Sequence, residues 1–401
     1  MDRMNQVSQL AVSSPGKIVL VVLDGLGGLP HPETGKTELE TARTPHLDRL
    51  AKEGICGMSE PLGAGLTPGS GPGHLALFGY DPFAFTIGRG ILEALGIDFP
   101  LEKGDIAARG NFCTIDAKGA ITDRRAGRIS TEVCTRLCEE LSRIGFQGMK
   151  VFVAPVEGHR FLLVLRGAGL SPDLADSDPQ QVGVPPKEVV ALSREAEATA
   201  AVVNSWISKA RGVLADHHPA NMVVLRGFAR LPHLPSMGEL YKLNPVAIAT
   251  YPMYRGLARL VGMKVVDCGR SVREQFDTLA KYYAGHDFLF VHIKRTDTAG
   301  EDGDFKRKVE AIEEVDGAMP QVMDLKPDVI AVTGDHSTPA AMKAHSWHPV
   351  PFVLHSPLCR PDDVMEFSER ACSKGALGRF PALDIMPLAL AHAQKLTKYG
   401  A

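Results

Sequence analysis

The stretch Asp328–Pro351 reads DVIAVTGDHSTPAAMKAHSWHPVP, and it decides the fold. Its first part, Val329–Val332, is a short apolar run that predicts a buried strand and is too short to cross a membrane. Asp335 and His336 follow the glycine that ends this strand, and His345 comes nine residues later. Because open α/β sheets bind ligands at the carboxyl ends of their strands, this placement indicates a divalent metal site. The alternative is that Asp335 caps a helix and the histidines are surface side chains.

Composition limits the class of protein. The 401 residues include 44 basic and 47 acidic side chains, with a net charge of −3 and no long run of like charge. This balance argues against a nucleic-acid partner. The seven cysteines include no Cys-x-x-Cys pair, and their odd number favours reduced thiols and a cytoplasmic location. The polar N-terminus lacks the apolar core of a signal peptide. The sequence therefore predicts a soluble cytoplasmic protein of two or three domains, with no membrane partner.

A second buried strand is predicted at Ile18–Leu23, a run of six aliphatic residues that ends at Asp24. The glycines that follow do not complete a dinucleotide-binding fingerprint, because Pro30 stands where Gly or Ala is required. Pro30 also occupies the first glycine of a Walker motif that would end at Gly35-Lys36-Thr37. Neither nucleotide motif is intact. Asp24 is left as an aspartate at a strand end, and its simplest role is to cap the next turn.

The stretch LTPGSGPGH, residues 66–74, predicts a tight turn before a helix that starts near His74. Ser70 would then lie just before the helix N-terminus, where free N–H groups and the helix dipole favour an anion. Two interpretations are open. Ser70 is an N-cap, or it is a nucleophile whose phosphorylated form is held by the helix end. The Gly-x-Ser-x-Gly elbow of hydrolases is not matched.

The pattern changes between residues 105 and 235, where short strands alternate with helices, one of them predicted over residues 188–209. We interpret 105–235 as an inserted domain, and 1–104 with 236–401 as the domain that carries the strand-end groups. The insert is expected to act as a lid that excludes water from the reaction. Its basic loop DRRAGR, residues 123–128, suits a phosphate or carboxylate group, although a solvated loop is the simpler alternative.

A third strand-end group is predicted after the insert. The strand Phe288–His292 leads to Asp297 and Glu301, which are four residues apart and able to face one centre. Acidic or imidazole donors thus follow three separate strands. Two metal ions about 3.5–4 Å apart are able to clamp the oxygens of an in-line phosphoryl transfer. A metal ion also lowers the pKa of a serine hydroxyl and so activates it.

Together these stretches resemble the archaeal type of cofactor-independent (2,3-bisphosphoglycerate-independent) phosphoglycerate mutase, within the alkaline-phosphatase superfamily. The resemblance extends over nearly the whole chain and is carried by VVLDGLG, LTPGSGPGHLALFGYDP, IGRG, ITDRRAGRIS, GHRFLLVLRG, VHIKRTD, TGDHSTP and HSWHPVPF. It implies an α/β fold whose mostly parallel, alkaline-phosphatase-like sheet has helices on both faces, plus an inserted smaller α/β domain that binds the substrate. It also implies a glycolytic isomerase that interconverts 2- and 3-phosphoglycerate through a phosphoserine intermediate.

The resemblance assigns roles by position. Ser70 matches the nucleophile. Asp24, Asp335 and His336 would share one metal ion with it, while Asp297 and His345 would hold the other. Mn²⁺ is the expected ion, with Mg²⁺, Co²⁺ or Zn²⁺ as alternatives. The positions that match substrate-holding segments are Arg125, Arg128, His159, Arg160 and Lys294.

The chain departs from the family pattern at Glu301, where the family has a histidine. A carboxylate still ligates Mn²⁺ or Mg²⁺, but it adds negative charge and makes the site harder. Two other functions are open. One is a homoserine kinase-like phosphotransferase or a metal-dependent phosphohydrolase, of which the kinase needs a nucleotide. The other is a catalytically silent metal- or phosphate-binding protein, which is at odds with the presence of Ser70, Asp24 and Asp335.

Overall fold

The computed structural model describes residues 3–400. In this range the β-strands are β1 (Ile18–Leu23), β2 (Ile55–Glu60), β3 (Ile106–Ile115), β4 (Ile121–Asp123), β5 (Lys150–Glu157), β6 (Arg160–Arg166), β7 (Met222–Ala229), β8 (Pro245–Ile248), β9 (Lys264–Val266), β10 (Phe288–Ile293), β11 (Val329–Thr333), β12 (Val350–His355) and β13 (Arg379–Pro381). The α-helices are α1 (Arg3–Leu10), α2 (Glu38–Thr41), α3 (Pro45–Glu53), α4 (Ser70–Leu77), α5 (Arg89–Gly96), α6 (Thr131–Leu141), α7 (Glu197–Leu214), α8 (Met237–Tyr241), α9 (Pro252–Leu260), α10 (Val272–Tyr283), α11 (Arg295–Asp302), α12 (Phe305–Met323), α13 (Glu369–Cys372) and α14 (Ile385–His392). None of these helices is both long and apolar enough to cross a membrane.

A mostly parallel sheet forms the centre of the first of two compact units, which comprises the described chain up to Thr86 and from Leu234 onward. Its strand order is β13-β2-β12-β11-β1-β10-β8-β9. β1 pairs in parallel with β10 on one side and with β11 on the other. All of β1 is buried, as expected for a strand covered on both faces. The carboxyl ends of β11, β1 and β10 therefore lie side by side at one edge of the sheet.

Helices cover both faces of this sheet. On one face, Val19 of β1 shares a hydrophobic core with Leu47 of α3 and Ile312 of α12. On the other face, Phe78 at the end of α4 packs edge-on against Phe290 of β10, with ring centroids 5.0 Å apart. The predicted α/β fold, with a mostly parallel sheet between two layers of helices, is confirmed.

The second unit is the continuous segment Ile87–His233. Its sheet is antiparallel and has the order β4-β3-β6-β5, with β7 also paired to β3. Leu137 of α6 and Trp206 of α7 are buried in one cluster with Phe161 of β6. The unit therefore has a hydrophobic core of its own, as an independent domain requires.

The start of this unit differs from the sequence prediction. Residues 87–104 belong to the second unit, whereas the sequence pattern places the boundary at residue 105. The reason is α5, which carries an apolar face. Ile91 and Ala94 of this helix are buried together with Leu162 of β6, so that burial of apolar surface joins α5 to the second sheet.

Two helices begin elsewhere than predicted. α4 begins at Ser70 rather than near His74. α7 spans Glu197–Leu214 rather than 188–209. Before α7, Arg194–Ala196 form a 3-10 helix, and Ala191 forms an isolated bridge with Leu174. Both errors arise at helix starts, where capping and tertiary contacts outweigh local propensity.

Candidate metal centre

Three neighbouring strands deliver acidic side chains to one edge of the central sheet. Asp24 directly follows β1, Asp297 lies in the first turn of α11 after β10, and Asp335 lies two residues after β11. All three carboxylates are fully buried. Ionised carboxylates in such a position need a counter-charge or a metal ion. The juxtaposition follows from the parallel pairing of β1 with both neighbours.

The first candidate ligand group consists of Asp24, Asp335 and His336, whose donor atoms all lie within 4.8 Å of one another. His336 Nε2 is 3.2 Å from Asp24 Oδ1 and 3.3 Å from Asp335 Oδ2. Neither of these carboxylate oxygens accepts a hydrogen bond of sound geometry from the described part of the chain. Buried oxygens in this state are expected where an ion completes their coordination.

The second candidate group consists of Asp297, His336 and His345. His345 Nε2 is 3.6 Å from Asp297 Oδ1, and His336 Nε2 is 4.0 Å from the same oxygen. The two imidazole rings are stacked, with centroids 3.7 Å apart. His336 thus belongs to both groups, and the described residues place oxygen and nitrogen donors around two adjacent positions.

Hydrogen bonds to the other ring nitrogens orient both histidines. His345 Nδ1 is 3.0 Å from the carbonyl oxygen of Pro68, which only accepts, so Nδ1 carries the proton. His336 Nδ1 is 3.0 Å from Thr338 Oγ1, and this hydroxyl donates to Asp297 Oδ1 at 2.6 Å. In the neutral form of each ring, the Nε2 lone pair therefore faces the site, as it does in histidine ligands of metals.

The other oxygen of Asp24 is held by donors from outside the two ligand groups. Tyr254 donates to Asp24 Oδ2 at 2.5 Å, and Lys294 Nζ lies 3.0 Å from it. Lys294 also forms an ion pair with Asp297. These contacts fix the Asp24 carboxylate so that Oδ1 faces His336. Lys294, which the sequence assigned to substrate holding, thus lies against two candidate metal ligands.

The concentration of charge shifts the proton affinities of the site. Burial alone lowers the pKa of His336, but Asp335, Asp24 and Asp297 outweigh it and raise the pKa to about 9. Burial alone raises the pKa of Asp24, but Lys294 and the neighbouring histidines hold it well below its usual value. The Asp24 carboxylate is therefore ionised at neutral pH, and the metal-free site retains a proton on His336.

Ser70 lies beside this centre at the first residue of α4. Its Oγ is 3.3 Å from His336 Nε2. The N-cap of α4 is Gly69, and no side chain of the described residues caps this helix end, so the N-cap interpretation of Ser70 is wrong. The first N–H groups of a helix have no intrahelical partner, and Ser70 is the first residue of this helix. Helix α4 comes this close because Gly73 has no Cβ, which would lie 2.4 Å from the carbonyl oxygen of Asp335.

Glu301 lies one helical turn after Asp297 on α11. Its side chain is 54% exposed, and Oε1 is 4.0 Å from His345 Nε2. Neither candidate ligand group includes it among the described residues. Its role as a ligand stays a prediction.

The remaining predicted substrate residues lie in the second unit. Arg125 and Arg128 flank Gly127, and the Asp123 carboxylate accepts the N–H groups of Arg125 at 2.8 Å and Gly127 at 2.6 Å. Burial and the positive charge of Arg160 lower the pKa of His159 to about 4, so this imidazole is neutral at pH 7. The electropositive surroundings suit an anion, and the substrate-binding roles of these residues stay predictions.

Sequence reasoning missed His74 and His292. His74 Nδ1 is 2.9 Å from the carbonyl oxygen of Ser70 and 3.1 Å from Asp335 Oδ2. His292 Nε2 is 3.3 Å from Asp24 Oδ2. Both rings are completely buried. The available signals were the spacing of Ser70 and His74, one helical turn apart, and a polar residue near the end of an otherwise apolar strand.

Comparison with known proteins shows the family of this chain. The family model described as 2,3-bisphosphoglycerate-independent phosphoglycerate mutase matches residues 51–221. A relative from Thermus thermophilus named "Probable 2,3-bisphosphoglycerate-independent phosphoglycerate mutase" is 48% identical, with 100% of both chains covered. A relative of the same name from Aquifex aeolicus is also 48% identical over 99% of this chain and 100% of its own.

Solved structures include two with high similarity. A protein from Pyrococcus horikoshii superposes with a TM-score of 0.84 at 30% identity, and the match covers 96% of this chain and 99% of the other. The cofactor-independent phosphoglycerate mutase of Thermoplasma acidophilum gives a TM-score of 0.70 at 32% identity, with 94% and 100% covered. Both matches extend over nearly the entire chain.

Proposed function

Because this chain belongs to the 2,3-bisphosphoglycerate-independent phosphoglycerate mutase family, it is an isomerase of phosphoglycerate, and we propose that it transfers the phosphoryl group through Ser70 at a centre for two divalent metal ions. The observation that carries the proposal is the position of Ser70 Oγ, which is 3.3 Å from His336 Nε2 at the N-terminus of α4. A hydroxyl in this position adjoins both candidate ligand groups.

The described residues suit two ions. Asp24, Asp335 and His336 would hold the first together with Ser70, and Asp297 with His345 would hold the second. Glu301 would join the second after a small movement. The mixture of carboxylate and imidazole donors favours Mn²⁺, with Mg²⁺, Co²⁺ or Zn²⁺ as alternatives. When bound, such ions lower the pKa of a serine hydroxyl and neutralise charge on a transferring phosphoryl group.

The residues of the chain supply the rest of the transfer. Ser70 Oγ forms a bond to phosphorus as the bond from phosphorus to the glycerate oxygen breaks, and the freed glycerate hydroxyl takes up the proton that the serine loses. The first N–H groups of α4 stabilise the negative oxygens of phosphoserine. Attack by the other glycerate hydroxyl then reverses the exchange. Each of the two steps is a phosphoryl transfer, so the complete reaction consumes neither water nor nucleotide.

The function is tested with metal-stripped protein that is reconstituted with Mn²⁺. We expect conversion of 3-phosphoglycerate to 2-phosphoglycerate in a coupled assay, with no added 2,3-bisphosphoglycerate and with loss of activity on chelation. A parallel assay with homoserine and ATP tests the kinase alternative. Phosphoryl transfer to homoserine without mutase turnover would overturn the assignment, and release of inorganic phosphate alone would indicate a phosphohydrolase.

The nucleophile is tested with Ser70→Ala. We expect turnover to fall by several orders of magnitude with little change in stability, because Ser70 does not cap its helix. Ser236 is the matched control, since its side chain caps α8 and accepts from the N–H of Glu239 at 3.1 Å. Ser236→Ala should cost about 1 kcal/mol of stability and leave turnover nearly unchanged. Mass spectrometry of acid-quenched wild type should find phosphate on Ser70, and near-normal turnover of Ser70→Ala would refute the mechanism.

A further inference from the structure

A buried ammonium group lies beneath the candidate metal centre. Lys308 of α12 is fully buried. Its Nζ donates to the carbonyl oxygens of Gly27 and Thr338, each at 2.9 Å. Burial lowers the pKa of Lys308, while Glu38, Glu369 and Asp297 oppose this effect. One charged side chain from a distant helix therefore binds the backbone at two points.

The two carbonyl groups belong to the two loops that carry the first candidate ligand group. Gly27 lies three residues after Asp24, and Thr338 lies two residues after His336. The loops also contact each other directly, because the N–H of Thr338 is within 3.1 Å of the carbonyl oxygen of Gly27. Lys308 thus links the loop after β1 to the loop after β11 at the place where their side chains must converge.

Carboxylates hold the same loops from the other side. Glu38 Oε1 is 3.9 Å from Lys308 Nζ and accepts the N–H of Ala340 at 2.7 Å. Glu369 accepts the N–H of Gly28 at 3.0 Å. The two acidic groups therefore bind N–H groups of the two loops, whereas Lys308 binds their carbonyl groups.

Packing alone does not account for a charged group here. Burial of an ammonium ion is costly, and apolar residues of similar volume at such positions are often neutral or stabilising. The best-attested use of buried charge is to select one arrangement of the chain. Among the described residues, the hydrogen-bond partners of Lys308 are backbone groups rather than the candidate ligands, and they belong to the two loops that present those ligands.

We propose that Lys308 is a positioning residue that sets the spacing between the loops after β1 and β11, and thereby sets the affinity of the first ligand group for its ion. The inference rests on the proposed metal centre. Residues that orient metal ligands from outside the coordination sphere typically change metal affinity by about 10- to 100-fold when they are lost. Lys308 acts in the same way through the backbone.

The test compares Lys308→Met with Lys395→Met. Lys395 is the matched control because it is equally buried, and its Nζ donates to the carbonyl oxygen of Ser14 at 2.7 Å and to Asp287 at 2.9 Å, which are not among the candidate ligands. Free Mn²⁺ is measured by electron paramagnetic resonance in titrations of the metal-stripped proteins, alongside thermal unfolding. We expect Lys308→Met to raise the Kd for Mn²⁺ at least about tenfold and to lower kcat more than it raises KM. Lys395→Met should lose stability without a change in Kd.

The outcomes separate the two proposals. If wild type binds no Mn²⁺, the metal centre itself is wrong. If wild type binds Mn²⁺ and Lys308→Met has the same Kd, or both variants raise it equally, the positioning role is refuted. If Lys308→Met does not fold, Glu38→Gln takes its place, since it removes the opposing charge and keeps an acceptor for Ala340. It should raise the Kd severalfold, and an unchanged Kd would refute the proposal.

Discussion

At the scale of single residues, His336 is the side chain on which the candidate centre depends. It belongs to both candidate ligand groups, and its Nε2 lies within 4.0 Å of Asp24, Asp297 and Asp335. A single nitrogen lone pair coordinates one ion at a time. If two ions bind as proposed, the second would need further donors from Glu301, the serine, water or the substrate phosphate, and its affinity would then depend on substrate binding.

The raised pKa of His336 leads to a prediction of how the affinity for a metal ion depends on pH. Its pKa in the metal-free protein is raised to about 9, so below that pH an ion must displace a proton. We expect affinity for Mn²⁺ to rise by up to about tenfold per pH unit between pH 7 and pH 9. Calorimetric titration in buffers of different ionisation enthalpy should detect proton release at pH 7. Affinity that does not change over this range would show that His336 is not a ligand.

The raised pKa has the opposite effect on the stability of the metal-free protein. Protonated His336 contributes stability that is fully present below its unfolded pKa of about 6.5. This stability is lost as the pH rises through about 9. This contribution is measured by thermal unfolding of the metal-stripped protein at pH 6 and pH 10. The variant His336→Gln is the control, because it shows how much the other titrating groups contribute.

Glu301 is expected to determine which ion is preferred. If its carboxylate completes the second ligand group, Glu301→His replaces a hard oxygen donor by an imidazole. The metal-activation profile should then shift from Mn²⁺ and Mg²⁺ towards Zn²⁺ or Co²⁺. Glu310→His on the neighbouring helix α12 controls for a new histidine outside the site. An identical profile for wild type and Glu301→His would place Glu301 outside the coordination sphere.

At the scale of elements, the close approach of α4 to the loop after β11 positions Ser70. A Cβ at Gly73 would lie 2.4 Å from the backbone oxygen of Asp335, so Gly73→Ala must move α4 away. We expect a large loss of turnover, since Ser70 moves with the helix and small displacements at a reacting group are costly. The control is Gly317→Ala in α12, where the added Cβ meets no atom within 4 Å. This change should stabilise the protein by up to about 1 kcal/mol. If Gly73→Ala keeps wild-type turnover, α4 does not fix the serine.

The sequence predicted the strands whose complete burial is visible as a continuous run of apolar residues. β1, β10 and β11 are mostly apolar runs that are buried along their whole length, and their length and composition distinguish them from helices. The start of α4 was not predictable in this way, because a helix that opens with Ser70-Gly-Pro-Gly has low intrinsic propensity. It forms because its buried residues, among them Leu75 and Leu77, pack in the interior.

At the scale of the whole molecule, the second unit is expected to fold without the first. It is a single continuous segment, Ile87–His233, with its own sheet and core. The isolated segment should unfold cooperatively on heating and show no response to Mn²⁺, because the candidate ligands lie in the first unit. Circular dichroism and thermal unfolding of the segment with and without the ion test this expectation. A segment that starts at residue 105 should be less stable than one that starts at residue 87, because it lacks α5, which packs with Leu162.

The predictable part of the candidate site consists of the acidic side chains that follow the ends of strands. Asp24, Asp297 and Asp335 were placed together by the rule that parallel strands bring their carboxyl ends to one edge. The contacts of His74 and Lys308 were not predictable, because each depends on the approach of a helix that is distant in sequence. Lys308 in particular belongs to a helix whose charged residues give no local sign that one of them is buried.

The insertion of a continuous unit into a discontinuous one has a consequence for biosynthesis. The ribosome completes β1 and Ser70 early, but β1 pairs with β10, whose first residue is Phe288, and with β11, whose first residue is Val329. Residues 87–233 emerge and fold in the interval, since domains fold as units during synthesis. The nascent chain therefore carries the aliphatic strand β1 without these partners until residues 288–333 have been made, and the candidate metal centre assembles only after them. Nascent chains stalled before residue 329 should bind chaperones through this strand.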